Sequence, residues 1–331
     1  MKVAPKLDFD DPLQLLEIKN IVDAHQTFWV TAHVHPDGDG LGSMLMVGRL
    51  LRQLGKDVIC LLDDVIPGKF DFLEDIDSIY TALDQPPKTV PEVLIALDSS
   101  CRHRLGRVLE YLPETAKLIN IDHHASNDRY GHVNYIDGQA SSAAEVAYRL
   151  LSLWPVTVDS AMATMIYTGI ICDTGRFVFP NTSARALDIC AEMVTLGASP
   201  SDIAEKVYFR SSQSTVLGLA ESLSHLEFHF NGKAASMRLP HHFLNAHAAV
   251  DTEGFVDNLL AIEGTEVEFF MVEREPQCFR VSFRSKNHVN VDDVAKSFGG
   301  GGHQRAAGAT ICGDAGNVRA RILAVLEAHL G

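Results

Sequence analysis

Four short apolar runs in the first half of the chain share one property: each ends in an aspartate or runs into a polar loop. They are TFWVTAH, DVICLL, EVLIALD and KLINID. Between the first two lies a helical pattern, LGSMLMVGRLLRQLG, closed by Gly55. Short runs apolar on both faces, alternating with helices, specify a parallel α/β sheet with its strands buried. From SAAEVAYRLL to about Leu226 the pattern is almost entirely helical, with breaks at Gly197 and Pro200. Beyond it, LEFHFNGKAASMRL reads as a hairpin around Asn231-Gly232. EVEFFMVERE and CFRVSFRS read as further strands, and VDDVAKSF and GNVRARILAVLEAHL as helices. A chain of 331 residues exceeds one typical core. We expect an N-terminal α/β domain over 1–197, a helical linker over 198–226 and a smaller α/β domain over 227–331.

The strand ends carry the chemistry, because ligands of open parallel sheets collect at the carboxyl ends of the strands. After TFWVTAH comes His33-Val34-His35-Pro36-Asp37-Gly38-Asp39-Gly40. After EVLIAL comes Asp98, after KLINI comes Asp122-His123-His124, and Asp173 follows TGIIC. Taken singly, each is explained by a turn, an N-cap or a surface loop. Together, four distant segments deliver carboxylates and imidazoles to one place. That donor set suits Mn²⁺ or a similar divalent ion; the imidazoles argue against a purely Mg²⁺ or Ca²⁺ site. Two ions about 3.5–4 Å apart would clamp a hydroxide and a phosphoryl group, with Asp98 between them. The glycines at 38, 40 and 42 are expected to let this loop turn sharply and approach an anion.

Composition narrows the substrate. With 28 Lys+Arg against 43 Asp+Glu the formal charge is −15, the reverse of what holds long duplex nucleic acid. One local exception runs from Arg280 to Arg305, with five basic residues and two acids. The six cysteines are scattered singly and read as reduced, buried side chains. The opening MKVAPKLDFDDPLQ turns acidic where a secretory signal needs an apolar core. No apolar run approaches the roughly 18–20 residues of a membrane span, so the expected location is the cytoplasm and no membrane is expected as a partner.

At HVHPDGDGLGS, ALDSS, NIDHHASN and GIICDTGRF, and again at SFRS and FGGGGHQRAAG, the chain resembles the DHH phosphoesterase superfamily. Its nearest likeness is to the nanoRNase and pAp-phosphatase (oligoribonuclease) branch, with a DHH-associated C-terminal domain. The resemblance runs from His33 to Gly308. It implies that His33, Asp37 and Asp98 hold one metal and Asp39, Asp98, His123 and Asp173 the other. The cofactors would be two divalent ions, Mn²⁺ first, with Mg²⁺ or Co²⁺ as substitutes. It also implies that Asp98 bridges, that His124 contacts the scissile phosphate, and that Asp122 orients the histidine pair. Arg284, Ser285 and His303, with the amides of Gly300, Gly301 and Gly302, would grip the nucleotide. In FGGGGHQRAAG the context favours a tight, packed turn over a flexible linker.

The implied activity is metal-dependent hydrolysis of very short RNA or of 3'-phosphoadenosine 5'-phosphate. Cyclic- or linear-dinucleotide phosphodiesterase activity (cyclic di-AMP, pApA) is the alternative. A pyrophosphatase would lack SFRS and FGGGGH, and a RecJ-type exonuclease would be longer. A nucleotide-binding scaffold would not keep every ligand position filled. The composition is compatible with a homodimer.

Overall fold

The computed structural model describes residues 12–81, 85, 87–247 and 250–330; the acidic N-terminal segment read above, up to residue 11, lies outside them. The chain divides between Arg210 and Ser211 into two compact units. The stretch read as a linker contributes one helix to each: α6 (Pro200–Tyr208) packs in the first unit and α7 (Gln213–Ser224) in the second.

The first unit contains a parallel sheet of β1 (Thr27–Thr31), β2 (Asp57–Cys60), β3 (Val93–Leu97), β4 (Lys117–Asp122) and β5 (Val133–Ile136). Their order is β2-β1-β3-β4-β5. The winding therefore reverses between β1 and β3, which opens a crevice at their carboxyl ends. Strand alternation divides the core. Phe28, Val30, Ile95 and Ile121 pack with α1 (Pro12–Ala24), α2 (Gly38–Gln53), α3 (Ala143–Tyr148), α4 (Ser160–Asp173) and α5 (Ala184–Thr195). Trp29, Leu94, Ala96 and Leu118 face the other way, onto Leu105 and Val108 of a 3-10 segment, Arg102–Glu110.

The glycines of the first motif do not act as expected. Gly38, Gly40 and Gly42 lie inside α2, and none has a left-handed φ. What they provide is close approach. A Cβ on Gly42 would stand 2.4 Å from the Met165 carbonyl of α4, and one on Gly38 would stand 2.3 Å from Cys172 Sγ. The sharp turn belongs to Asp37, whose Oδ1 caps α2 by accepting from the amides of Asp39 and Gly40.

The second unit is a six-stranded mixed sheet, ordered β10-β11-β9-β8-β7-β6. Its strands are β6 (Glu227–His229), β7 (Ala234–Leu239), β8 (Val267–Glu275), β9 (Cys278–Ser285), β10 (Gly301–His303) and β11 (Ala306–Cys312). The hairpin at Asn231 forms with that residue at φ 53°. Two helices, α9 (Val291–Lys296) and α10 (Ala315–Leu330), cover Phe269, Val281 and Phe283 on one face. The short α8 (His241–Ala246) and the 3-10 turn Val256–Ala261 cover Met237, Phe270 and Val272 on the other.

Two expectations are corrected in this unit. GGH and AAGATIC are not a packed turn but an antiparallel hairpin at the sheet edge, His303 opposite Ala306. Four cysteines are free as expected, whereas Cys278 and Cys312, opposite one another on β9 and β11, form a disulfide. Only the strand register brings these two together, across 34 residues of sequence. Among the described residues no helix is long and apolar enough to cross a membrane.

Candidate active site

β1 and β3 flank the switch point, and the residues that leave them meet there. Asp98 ends β3 in a left-handed turn, φ 52°, that aims its carboxylate across the crevice. Its Oδ2 stands 3.2 Å from His33 Nε2, and its Oδ1 stands 3.6 Å from His123 Nε2. One carboxylate thus separates two imidazoles, one oxygen to each. Around His33 Nε2 lies Asp37 Oδ2 at 3.9 Å. Around His123 Nε2 lie Asp39 Oδ2 at 3.8 Å and Asp173 Oδ2 at 3.6 Å. The six sequence-predicted ligand residues therefore form two sets, His33–Asp37–Asp98 and Asp39–His123–Asp173. Asp98 joins them.

The remaining contacts orient these groups. The Nδ1 atoms of His33 and His123 lie 2.8 Å from the Val34 carbonyl and 3.4 Å from the Ala140 carbonyl, which directs each Nε2 inward. Asp39, buried on α2, accepts from the amides of Ala143 and Ala144 at the start of α3. Asn181 donates to Asp173 at the end of α4. Asp122 orients only one member of the histidine pair. Its Oδ1 accepts from His124 Nδ1 at 2.7 Å, and its Oδ2 accepts from Asn127 at 2.6 Å. Asn127, a positioning residue within the quoted NIDHHASN, was not singled out from sequence, because its role depends on a loop folding back onto Asp122.

Three of these carboxylates, Asp39, Asp98 and Asp173, are buried together and titrate abnormally. Burial raises Asp39 well above the usual carboxylate range, helped by the negative charge of Asp98. Burial, with Asp98 and Asp37 nearby, pushes Asp173 up to about 6. Burial opposes the charge on Asp98 too, but hydrogen bonding to His123 and His33 holds it well below the usual range. His123 is raised well above an ordinary imidazole: burial works against protonation, and Asp173, Asp98 and Asp39 overcome it. A concentration of negative charge that shifts Asp39, Asp173 and His123 toward protonation is a cation site by its chemistry. Mixed imidazole and carboxylate donors with oriented Nε2 atoms fit a divalent transition metal.

In the second unit the expected nucleotide-gripping residues separate. The register aligns His303, Ala306, Arg284 and Glu268 in one row across β10, β11, β9 and β8, so Arg284 and His303 share a face. Arg284 is held there by Asp257, which accepts from its Nε at 2.7 Å. Ser285, the next residue along β9, necessarily points to the opposite face. It is buried, and its Oγ donates to the Val289 carbonyl. Two of the three glycine amides are also engaged, Gly300 with the Ala295 carbonyl and Gly302 with Asp292 Oδ1. Ser285 and these two amides are therefore not available to a ligand, a correction to the expectation above.

Fold and cluster together define a metal-dependent hydrolase of the α/β class. The model of the DHH family N-terminal domain matches residues 27–170 and that of the DHHA1 domain residues 243–330. The chain belongs to the DHH phosphoesterase family, and its similar relatives include bifunctional oligoribonucleases and PAP phosphatases called NrnA. That of Thermus thermophilus is 33% identical over 303 residues, covering 91% of this chain and 90% of the relative. That of Bacillus subtilis is 30% identical, covering 89% and 92%. The cyclic-di-AMP phosphodiesterase PdeA of Listeria monocytogenes is 23% identical, and the match spans 45% of its length. In fold, the crystal structure of an exopolyphosphatase-related protein from Bacteroides fragilis superposes with a TM-score of 0.86 at 23% identity, covering 98% of this chain and 97% of that one.

Proposed function

We propose that this protein hydrolyses the phosphoester bonds of very short oligoribonucleotides and of 3'-phosphoadenosine 5'-phosphate, with two manganese ions as cofactors, in the cytoplasm. The observation that carries the reading is the Asp98 carboxylate, placed between His33 and His123 with one oxygen toward each. His33, Asp37 and Asp98 would hold one ion, and Asp39, Asp98, His123 and Asp173 the other. When bound, such a pair of ions lowers the pKa of a water and offsets charge on the phosphoryl oxygens.

The chain's own residues do the rest. Asp122 fixes His124 through Nδ1, and His124 Nε2 would donate to a phosphate oxygen. Asn127 keeps Asp122 in place. In the second unit, Arg284 and His303 share a face that would take a phosphate or base of a small substrate. The overall charge of −15 favours a substrate with few phosphates.

The test is a time course with added Mn²⁺ on pAp, pApA, pGpG, a five-nucleotide RNA, a 24-nucleotide RNA and cyclic di-AMP. Mononucleotide release from the dinucleotides and the five-mer, with phosphate release from pAp, is the expected result. Faster cleavage of cyclic di-AMP than of every linear substrate would replace this reading with the cyclic-dinucleotide one. Inactivity on the whole panel would overturn both.

A further inference from the structure

Several arginines in this protein are matched to carboxylates. Arg49 donates to Asp159, Arg107 to Asp63, Arg185 to Glu145 and Arg284 to Asp257. Arg104 differs. Among the described residues its guanidinium has neither a hydrogen-bonded nor an ion-paired acceptor, although the residue is half-buried. A guanidinium presents five donors, and partial burial without an acceptor is costly.

The backbone fixes where this cation stands. The Arg104 carbonyl accepts from the Val34 amide at 2.7 Å, tying it to the residue after His33. Its own amide donates to the Cys101 carbonyl, closing the turn that follows Asp98. Three residues on, Asp63 fastens both the amide and the side chain of Arg107, at 2.8 Å each. The segment is thus anchored on both sides of Arg104. The guanidinium stands within electrostatic reach of Tyr130, whose hydroxyl donates to the Ser99 carbonyl beside Asp98.

We infer that Arg104 is a substrate-binding residue that takes a non-bridging oxygen of the phosphate held at the His33 side of the cluster. This rests on the phosphoesterase reading above and adds to it a fixed cation supplied by the first unit. Arg is suited to the role because its planar fork matches two phosphate oxygens and keeps its charge at any working pH. Among the described residues no acceptor is hydrogen-bonded to those donors.

The experiment compares wild type, Arg104→Ala and Arg104→Lys, each loaded with Mn²⁺. Binding of AMP is followed by calorimetry, and kcat and KM are measured for pAp and pApA. Loss of a charge-assisted pair should weaken AMP binding and raise KM by about tenfold to a hundredfold in the alanine variant. The lysine variant should recover part of that loss. Metal content and thermal midpoint should match wild type, which separates substrate binding from a structural role. Millimolar guanidinium added to Arg104→Ala should restore AMP binding in part. Unchanged AMP affinity and KM in Arg104→Ala, with wild type active, would overturn the inference and leave the phosphoesterase reading standing. Equal loss in the lysine and alanine variants together with a lowered midpoint would overturn it in favour of packing. An inactive wild type would instead count against the phosphoesterase reading.

Discussion

At the scale of single residues, Asp98 sustains a strained backbone to stand where it does. A non-glycine residue at φ 52° costs on the order of 1–3 kcal/mol unless its surroundings hold it there. Here the Ile121 carbonyl accepts its amide, and two imidazoles hold its carboxylate. Asp98→Asn keeps the shape and removes the charge that both ligand sets share. Activity should fall by orders of magnitude and metal content with it, while the far-ultraviolet dichroism stays that of wild type. Near-normal turnover in Asp98→Asn would refute the two-ion assignment. The same cluster predicts a pH dependence for metal uptake. Without metal, Asp39, Asp173 and His123 all favour their protonated forms. Metal binding needs them deprotonated. Uptake should therefore weaken as pH falls through about 6, the value to which Asp173 is pushed. Binding there should also release protons, detectable by calorimetry in buffers of different ionisation heat. Identical heats in all buffers at pH 6 would contradict this.

At the scale of elements, the cluster depends on how closely α2 and α4 pack. α2 carries Asp39 just after its cap Asp37, α4 ends at Asp173, and Gly42 lets the two helices touch. Gly42→Ala would place a methyl 2.4 Å from the Met165 carbonyl, backbone that cannot rotate away. We expect a loss of about 1–3 kcal/mol in denaturant unfolding, with weaker metal binding because Asp39 and Asp173 of one ligand set are pushed apart. A stability equal to that of wild type would show that the helices have slack. This role was not legible in the sequence: a glycine beside acids reads as a turn until the partner helix is known. β1, β3 and β4 were legible because each is buried on both faces, and β2 because its half-buried residues belong to the apolar run DVICLL. β5 was not, since VNYI carries an asparagine and follows a polar loop. β11 was not, since AAGATIC has few of the β-branched residues that mark a strand. Ser285 shows a different shortfall. Its neighbour Arg284 points to the opposite face of β9, and that alternation followed from the strand already read in CFRVSFRS. Arg284→Ala should therefore raise KM for dinucleotides, whereas Ser285→Ala should cost about 1 kcal/mol of stability and leave KM alone. Matching KM effects would return Ser285 to the binding face.

For the molecule as a whole, the question is what limits substrate length. A protein that tracks a long strand neutralises a phosphate at every step, and its affinity then falls steeply with salt. For single strands the slope of log affinity against log salt is about −0.7 per phosphate neutralised. This chain carries 43 acids against 28 lysines and arginines. Most of the arginines named above are bound to carboxylates of their own, and Arg284 itself shares its charge with Asp257. Arg104, His124, Arg284 and His303 are the cationic or imidazole groups we assign to phosphate or base contacts outside the metal ligands. So few contacts predict a slope shallower than about −3, the same for a two-nucleotide and a 24-nucleotide RNA. Phosphates beyond the first few meet an acidic protein and gain nothing. Catalytic efficiency should consequently decline beyond about five nucleotides, because each added residue contributes repulsion without a contact. The measurement is kcat/KM for two-, five-, ten- and 24-nucleotide RNAs across a series of salt concentrations. A slope that steepens with length would reveal a phosphate track along the protein, and with it a processive exonuclease. Parallel shallow slopes with falling efficiency would establish a site built for the ends of RNA decay, where only a few phosphates remain to be held.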